Sequence, residues 1–319
     1  MRISKIILAV LFLSILSSCL SGLESDLERA IERDDRLVKE FLQRNNLEAV
    51  ETALGYFFIK ESVHEEAEQI ENGDVLGVYY EIRTLEGQLI ERYFDENLPP
   101  RIFSHSEGGL VPRAMNFAAG LAREGEVINL YVPSYLAYRD YSFQQLIPPN
   151  ANLNIRVKYA KIFSEDELPE VEDEIILSYL MENELENFEK NPDGFYLKML
   201  DEGDPESPSA TAENVIFFTF ELFQMGEEET ISEITSESNP FQYGLDRTGN
   251  LKFLDLSLGG LKKGAELEII APSYLAFGKT TQVFPFQIRR DLFFQNYIPQ
   301  VARPFEPVRM KVKIVHISG

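Results

Sequence analysis

The 319-residue sequence predicts an α+β protein in which one unit is built twice: two domains, each a curved antiparallel sheet around a short helix and each preceded by a helical lead-in. Three observations carry that prediction. Pro133-Ser134-Tyr135-Leu136-Ala137-Tyr138 recurs as Pro272-Ser273-Tyr274-Leu275-Ala276-Phe277, identical at five of six positions. The residues before each copy agree in kind, a glycine turn feeding an alternating strand: Glu124-Gly125-Glu126-Val127-Ile128-Asn129-Leu130 against Lys263-Gly264-Ala265-Glu266-Leu267-Glu268-Ile269. Farther upstream, Val78-Tyr79-Tyr80-Glu81-Ile82 answers Phe218-Thr219-Phe220-Glu221-Leu222, and Gly55-Tyr56-Phe57 answers Gly194-Phe195-Tyr196. Order and spacing held over so long a stretch point to duplication rather than chance.

Residues 1–18 read as a signal peptide. Arg2 and Lys5 precede the apolar run from Ile6 to Leu16, which is shorter than the ~20 residues of a membrane span. The run ends in Leu16-Ser17-Ser18-Cys19, which resembles a bacterial lipobox and implies that the signal is removed and Cys19 lipidated. Each buried CH₂ of an acyl chain contributes ~0.8 kcal/mol, so several chains anchor a globule without a transmembrane helix. Leu20 stands where an aspartate commonly retains such proteins at the inner membrane, which favours the outer membrane. Residues 19–54 then hold the attachment point and the first lead-in. Ser25 to Glu28 forms a capping box, and Leu27, Ile31, Val38, Phe41 and Leu42 share one face of a helix ending near Asn45-Asn46.

The first domain, residues 55–163, carries strands at Val75–Arg83, Val127–Val132 and Leu153–Lys161, a turn at Glu86-Gly87 and a helical stretch near Met115–Ala122. Residues 164–193 form an acidic linker and a helix. The acidic run from Ser164 to Glu174 is expected to be solvated surface, followed by the stripe Ile175, Ile176, Tyr179 and Leu180. Residues 194–319 form the second domain, with a long loop at 279–304.

Composition excludes several function classes. With 53 acidic against 30 basic residues and a net charge of −23, no basic face can dominate, so nucleic acid is not an expected partner. A single cysteine forms no internal disulfide and no cysteine-based zinc site. His64, His105 and His316 show no ligand spacing, so neither a metal nor a cofactor is expected. The 44% apolar content and 23 phenylalanines fit packed domains rather than a disordered acidic chain.

Asn72-Gly73-Asp74-Val75, the Tyr80 strand, Gly125-Glu126, the Pro133–Tyr138 motif and Leu146-Ile147-Pro148-Pro149-Asn150-Ala151-Asn152-Leu153 together resemble the FKBP family of peptidyl-prolyl isomerases. The resemblance is close over 55–163 and looser over 194–317. It implies an enzyme that needs no nucleophile, metal or cofactor. An X-Pro bond crosses a barrier of roughly 18–20 kcal/mol because twisting removes amide resonance, and an aromatic cradle that holds the ring and excludes water favours the twisted, less polar amide. By this resemblance Tyr80 is the cradle tyrosine, Tyr138 the hydroxyl that binds a substrate carbonyl, and Ile147 the residue whose backbone N–H binds another. Ile90 and Glu91 stand where the family has Phe-Asp, Met115 near the aromatic or leucine of the pocket floor, and Ile155 in place of a late-strand phenylalanine. Arg139 replaces the glycine that follows the tyrosine, which is expected to alter the turn.

The second copy departs further. Phe220 and Phe277 occupy the two tyrosine positions, Met310 takes the late-strand position, and the Ile-Pro-Pro motif is not intact. Its long loop carries Phe284, Phe286, Phe293, Phe294 and Tyr297 with Arg289 and Arg290, the residue types of interface hot spots, and is expected either to dock a partner or to pack on its own barrel. Two functions follow. One is a lipid-anchored isomerase or folding chaperone of the bacterial cell envelope acting on proline-containing exported chains, with the first domain as the active half. The other is a catalytically degenerate scaffold subunit of an outer-membrane assembly, secretion or motility complex.

Overall fold

The computed structural model describes residues 28–318; the signal-like segment, Cys19, Ser25 and Leu27 lie outside the described residues. Contacts along the chain group it into two compact units. Among the described residues, one comprises 28–69 with 79–99 and 111–159, the other 70–78, 100–110 and 160–318.

The first half of the chain begins with α1, helical over 28–44. It continues through β1 (Val50–Glu51), β2 (Phe57–Lys60), β3 (Val75–Thr84), β4 (Leu89–Tyr93), β5 (Arg101–Ser104), β6 (Leu110–Val111), α2 (Arg113–Ala119), β7 (Val127–Val132), a 3₁₀ turn (Ser134–Leu136) and β8 (Leu153–Phe163). The second half follows with α3 (Glu167–Glu182), β9 (Glu189–Lys190), β10 (Tyr196–Asp201), β11 (Val215–Gln224), β12 (Thr230–Ile234) and β13 (Phe241–Tyr243). It ends with α4 (Lys252–Leu258), β14 (Glu266–Ala271), a 3₁₀ turn (Ser273–Leu275), β15 (Gln282–Val283), α5 (Arg289–Phe294) and β16 (Val308–Ser318).

The first sheet runs β1-β2-β7-β8-β3-β4 with β5 beside β3; the second runs β9-β10-β14-β16-β11-β12 with β13 beside β11. Each seven-stranded sheet therefore has the same order, with one short helix, α2 or α4, before the strand that leads into the Pro-Ser-Tyr-Leu-Ala turn. In β8 and β16 buried residues alternate with partly exposed ones, as a sheet with one face on a core requires.

Both lead-in helices bury the stripes that their sequences predict. Val38 and Leu42 of α1 pack with Phe57, Leu85 and Tyr131. Ile176 of α3 packs with Tyr196 and Ile270, flanked by Tyr179 and Leu180. Most of the charge of the acidic run lies at the surface, as expected, on the segment that leads into and begins α3; Glu172 within it is buried. Burial is tolerated because Glu172 Oε2 accepts the backbone N–H of Ser273 and Oε1 its hydroxyl, at 2.5 and 2.6 Å. In the first unit Asp34 of α1 receives the same two donors of Ser134.

The turn after Tyr138 is not altered by Arg139. Arg139 adopts φ 59°, the value of Gly278 at the matching place in the second copy. Its N–H reaches the Ser134 carbonyl at 2.8 Å, as that of Gly278 reaches Ser273 at 2.7 Å. The hydrogen bond fixes the left-handed turn, and an arginine is held there against its own preference.

Candidate functional site

In the first unit the residues singled out by sequence gather around the concave side of β3, β4, β8 and α2. Tyr80, Met115, Ile147 and Ile155 are fully buried, Ile90 and Tyr138 nearly so, and Glu91 is half-buried. Strand register places Ile82 opposite Glu91 and Tyr80 opposite Tyr93. Tyr80 donates its hydroxyl to Glu91 Oε2 at 2.6 Å, and its ring lies 6.2 Å from that of Tyr93. The backbone carbonyl of Met115 accepts the hydroxyl of Tyr159 at 2.5 Å, which ties α2 to the strand that bears Ile155.

Burial, reinforced by the nearby charge of Glu91 and by Tyr141, pushes the Tyr138 phenol well above its usual range. Tyr138 is therefore a neutral hydrogen-bond donor at any physiological pH. The Ile147 N–H, which the resemblance assigns to a substrate carbonyl, is engaged: it donates to the Phe143 carbonyl at 3.1 Å, and Phe143 N–H returns a bond to Ile147 at 3.0 Å. This strap is closed in the structure.

The second unit holds an open counterpart. Register pairs Leu222 with Ser232 as it pairs Ile82 with Glu91, and the common strand order sets every other cradle position in correspondence. Phe220, Ile231, Ser232, Leu254, Phe277 and Met310 thus stand at the places of Tyr80, Ile90, Glu91, Met115, Tyr138 and Ile155. All six line one cavity of about 350 Å³. Phe218 and Phe241 complete its aromatic wall, with rings 5.5 Å apart edge to face, and Phe293, Val301 and Ala302 close it from the long loop. The volume lies at the small end of ligand pockets, roughly 300–1,000 Å³.

Sequence reasoning missed Phe218 and Phe241 as cavity walls. The signal for Phe218 was present, since Phe218, Phe220 and Leu222 recur at the period of two that sets side chains on one sheet face. Phe241 carried no such signal.

The long loop is folded rather than open. Gln282 is buried; its N–H donates to the Gly109 carbonyl at 2.8 Å and its Nε2 to the Ile102 carbonyl at 2.9 Å, all within the second compact unit. Phe284 is fully buried and stacks on Phe286 at 6.0 Å, and the Arg101 guanidinium lies 3.6 Å from the Phe286 ring centroid. Arg289 is 4% exposed, so Phe284 and Arg289 hold the loop from within. Arg290 pairs with Glu229, and Phe293 turns to the cavity. Of the loop residues proposed from sequence for docking, Phe294 at 71% and Tyr297 at 55% are the ones that stand out into solvent. Among the described residues no cluster of three or more His, Cys, Asp or Glu is arranged to hold a metal, and no helix is long and apolar enough to cross a membrane.

Residues 66–159 match the profile of a family described as FKBP-type peptidyl-prolyl cis-trans isomerase. The chain is 27% identical over 146 residues to a probable FKBP-type peptidyl-prolyl cis-trans isomerase FkpA of Neisseria meningitidis serogroup B, covering 46% of this chain and 51% of that protein. The alignment thus spans about half of the relative's length. Among solved structures, the three FKBP domains of wheat FKBP73 cover 83% of this chain and 96% of theirs at 18% identity and a TM-score of 0.32. FkpA of Escherichia coli covers 44% of this chain and 63% of its own at 19% identity and a TM-score of 0.35.

Proposed function

Through residues 66–159 the chain belongs to the FKBP-type peptidyl-prolyl cis-trans isomerase family, and on that premise we propose that it handles X-Pro segments of other proteins, with the first module as the catalytic half. The observation that carries this reading is the Tyr138 hydroxyl, a neutral donor at the edge of an apolar cradle that also holds Tyr80, Met115 and Ile155. Twisting a prolyl amide leaves its carbonyl more ketone-like, and a phenol held at the edge of the cradle is placed to donate to a carbonyl of the bound segment. The second module has phenylalanine at that place, so it binds apolar groups but offers no hydroxyl.

Catalysis by the first module requires the Phe143–Ile147 strap to release the Ile147 N–H to substrate. An isomerase assay on the full chain with a proline-containing peptide tests this. A rate above the uncatalysed one that falls in Tyr138→Phe supports the reading; a wild-type rate equal to background rejects it. The engaged Ile147 donor favours a second reading, in which the first module is a scaffold, and a background rate would leave that one standing.

The proposed setting is the bacterial cell envelope. It rests on the lipobox-like Leu16-Ser17-Ser18-Cys19, with Cys19 as the acylated residue at the outer membrane and exported chains or outer-membrane complex subunits as partners. Fractionation of cells carrying Cys19→Ser is the test: release of the protein from membranes supports the anchor, and full retention overturns it.

A further inference from the structure

We propose that the second module binds an extended peptide segment in which a carboxylate follows an apolar residue, with the apolar side chain in the phenylalanine cavity and the carboxylate in an arginine pocket beside it. The proposal goes beyond the isomerase reading and does not depend on it.

The 350 Å³ aromatic cavity has a neighbour of about 310 Å³, and Ile231 and Val301 line both, so the two share a wall. The neighbour is of different chemistry. Arg289, Arg290 and Arg303 face it, against Glu227 and Glu229. Arg289 is held only by neutral acceptors: the carbonyls of Val301 at 2.5 Å, Thr281 at 2.6 Å, Gln300 at 3.2 Å and Ala302, and the Thr280 hydroxyl at 3.3 Å. Burial and the adjacent Arg303 lower its pKa to about 9, which leaves it charged at neutral pH. Arg289 thus brings to the pocket a buried positive charge whose hydrogen bonds go to uncharged oxygens, with Glu306 acting on it through its charge.

The carboxylates around the pocket are of two kinds. Glu306, outside the lining, is held on Arg303 Nε at 2.6 Å and is mostly shielded. Glu229 on Arg290 and Glu227 on Arg303 line the pocket and are 79% and 52% exposed, so solvent screens the carboxylate side of each pair. An incoming carboxylate that brings its own apolar anchor displaces them at small cost. Two pockets that share one wall suit side chains on the same face of an extended segment, residues i and i+2, as Phe and Glu are in Phe-Pro-Glu.

The test uses the full chain and fluorescein-labelled peptides Ala-Ala-Phe-Pro-Glu-Ala-Ala, with Gln or Lys in place of Glu, followed by anisotropy at low and high salt. A further peptide, Ala-Ala-Phe-Pro ending in a free carboxylate or an amide, separates a side-chain acid from a chain terminus. The proposal expects the Glu peptide to bind about tenfold more tightly than the Gln peptide, a difference of about 1.4 kcal/mol, and expects Arg290→Gln to remove that preference. Glu229→Gln takes away a competing carboxylate and is expected to tighten binding of the Glu peptide, a gain that misfolding does not produce. Ser232→Phe fills the cavity and is expected to remove the preference for the Glu peptide, whatever proline peptide the first module still binds. Equal affinity for the Glu and Gln peptides, or an undiminished Glu preference in Ser232→Phe, overturns the proposal. Isomerase activity that depends on Tyr138 is read in a separate assay, so either result stands without the other.

Discussion

Glu172 and Ser273 are joined by two hydrogen bonds, from the serine backbone N–H at 2.5 Å and its hydroxyl at 2.6 Å, and the pair is buried. The first unit repeats the relationship with Asp34 and Ser134. Each lead-in helix thus does more than cover a sheet: it fixes the start of the turn that carries the cradle's tyrosine or phenylalanine. Glu172→Ala leaves the Ser273 N–H without its acceptor and is expected to cost about 1–3 kcal/mol. Urea unfolding followed by tyrosine fluorescence measures it.

The same carboxyl has a pH signature. Burial first, and then the charge of Glu306, raise the Glu172 pKa above its ordinary 4.5, while the Ser273 donors oppose the shift. A raised acid pKa means that the folded state prefers the protonated form, so this contribution to stability is present below 4.5 and is lost as pH rises through the folded value. Glu172→Gln keeps one acceptor and offers a donor to the serine oxygen, without the ionisation. Its stability relative to wild type is expected to be higher at pH 7.5 than at pH 4.5. A difference independent of pH, or of opposite trend, contradicts the assignment.

Arg139 and Gly278 make a reciprocal pair of predictions. Both sit at φ 59°, where a residue with a Cβ costs about 1–2 kcal/mol relative to its preferred backbone. Arg139 is exposed. Arg139→Gly is expected to stabilise the first unit by about 0.5–1 kcal/mol after the added flexibility of the unfolded glycine is counted. Gly278→Ala is expected to destabilise the second unit by a similar amount. Thermal melts of the two variants check both signs at once.

Tyr159 holds α2 in place through the Met115 carbonyl at 2.5 Å. Tyr159→Phe keeps the ring and removes the bond, at an expected cost of about 1–2 kcal/mol. Because α2 carries Met115 into the cradle, the variant is also expected to loosen that wall, read as faster amide hydrogen exchange across residues 113–119.

Much of this was legible because duplication writes the same pattern twice. The Pro-Ser-Tyr-Leu-Ala repeat and the alternating strands before it placed β7 and β14 at matching positions of the two sheets, and the apolar cradle residues of the first unit are buried. What escaped depended on pairing rather than spacing. Glu172 is indistinguishable in sequence from the acids around it, and its burial comes from Ser273, a hundred residues away in the chain. The engagement of the Ile147 N–H by Phe143 is a matter of loop geometry. Arg289 read as a surface hot spot, although a cluster of backbone carbonyls makes it an internal clamp. The sequence shows that both tyrosines are replaced in the second unit, but not that the phenylalanines replacing them line a cavity.

That cavity allows the role of the hydroxyl to be tested by addition rather than removal. Phe277 stands where the first unit has Tyr138, and Ser232 stands where it has Glu91. Phe277→Tyr therefore places a phenol at the cradle's edge without the carboxylate that faces Tyr138. In a Tyr138→Phe background, where the first unit lacks its donor, any proline isomerisation that appears comes from the second. One well-placed donor is worth up to about 10²–10³ in rate at a fully organised site. The second unit lacks an Ile-Pro-Pro strap to supply the backbone donor, so a smaller gain is expected, on the order of tenfold over the background variant. Adding Ser232→Phe to block the cavity should abolish that gain. If the double variant with an open cavity stays at the uncatalysed rate while still binding proline peptides, a cradle and one hydroxyl are not sufficient, and the strap that supplies the Ile147 N–H is the missing part.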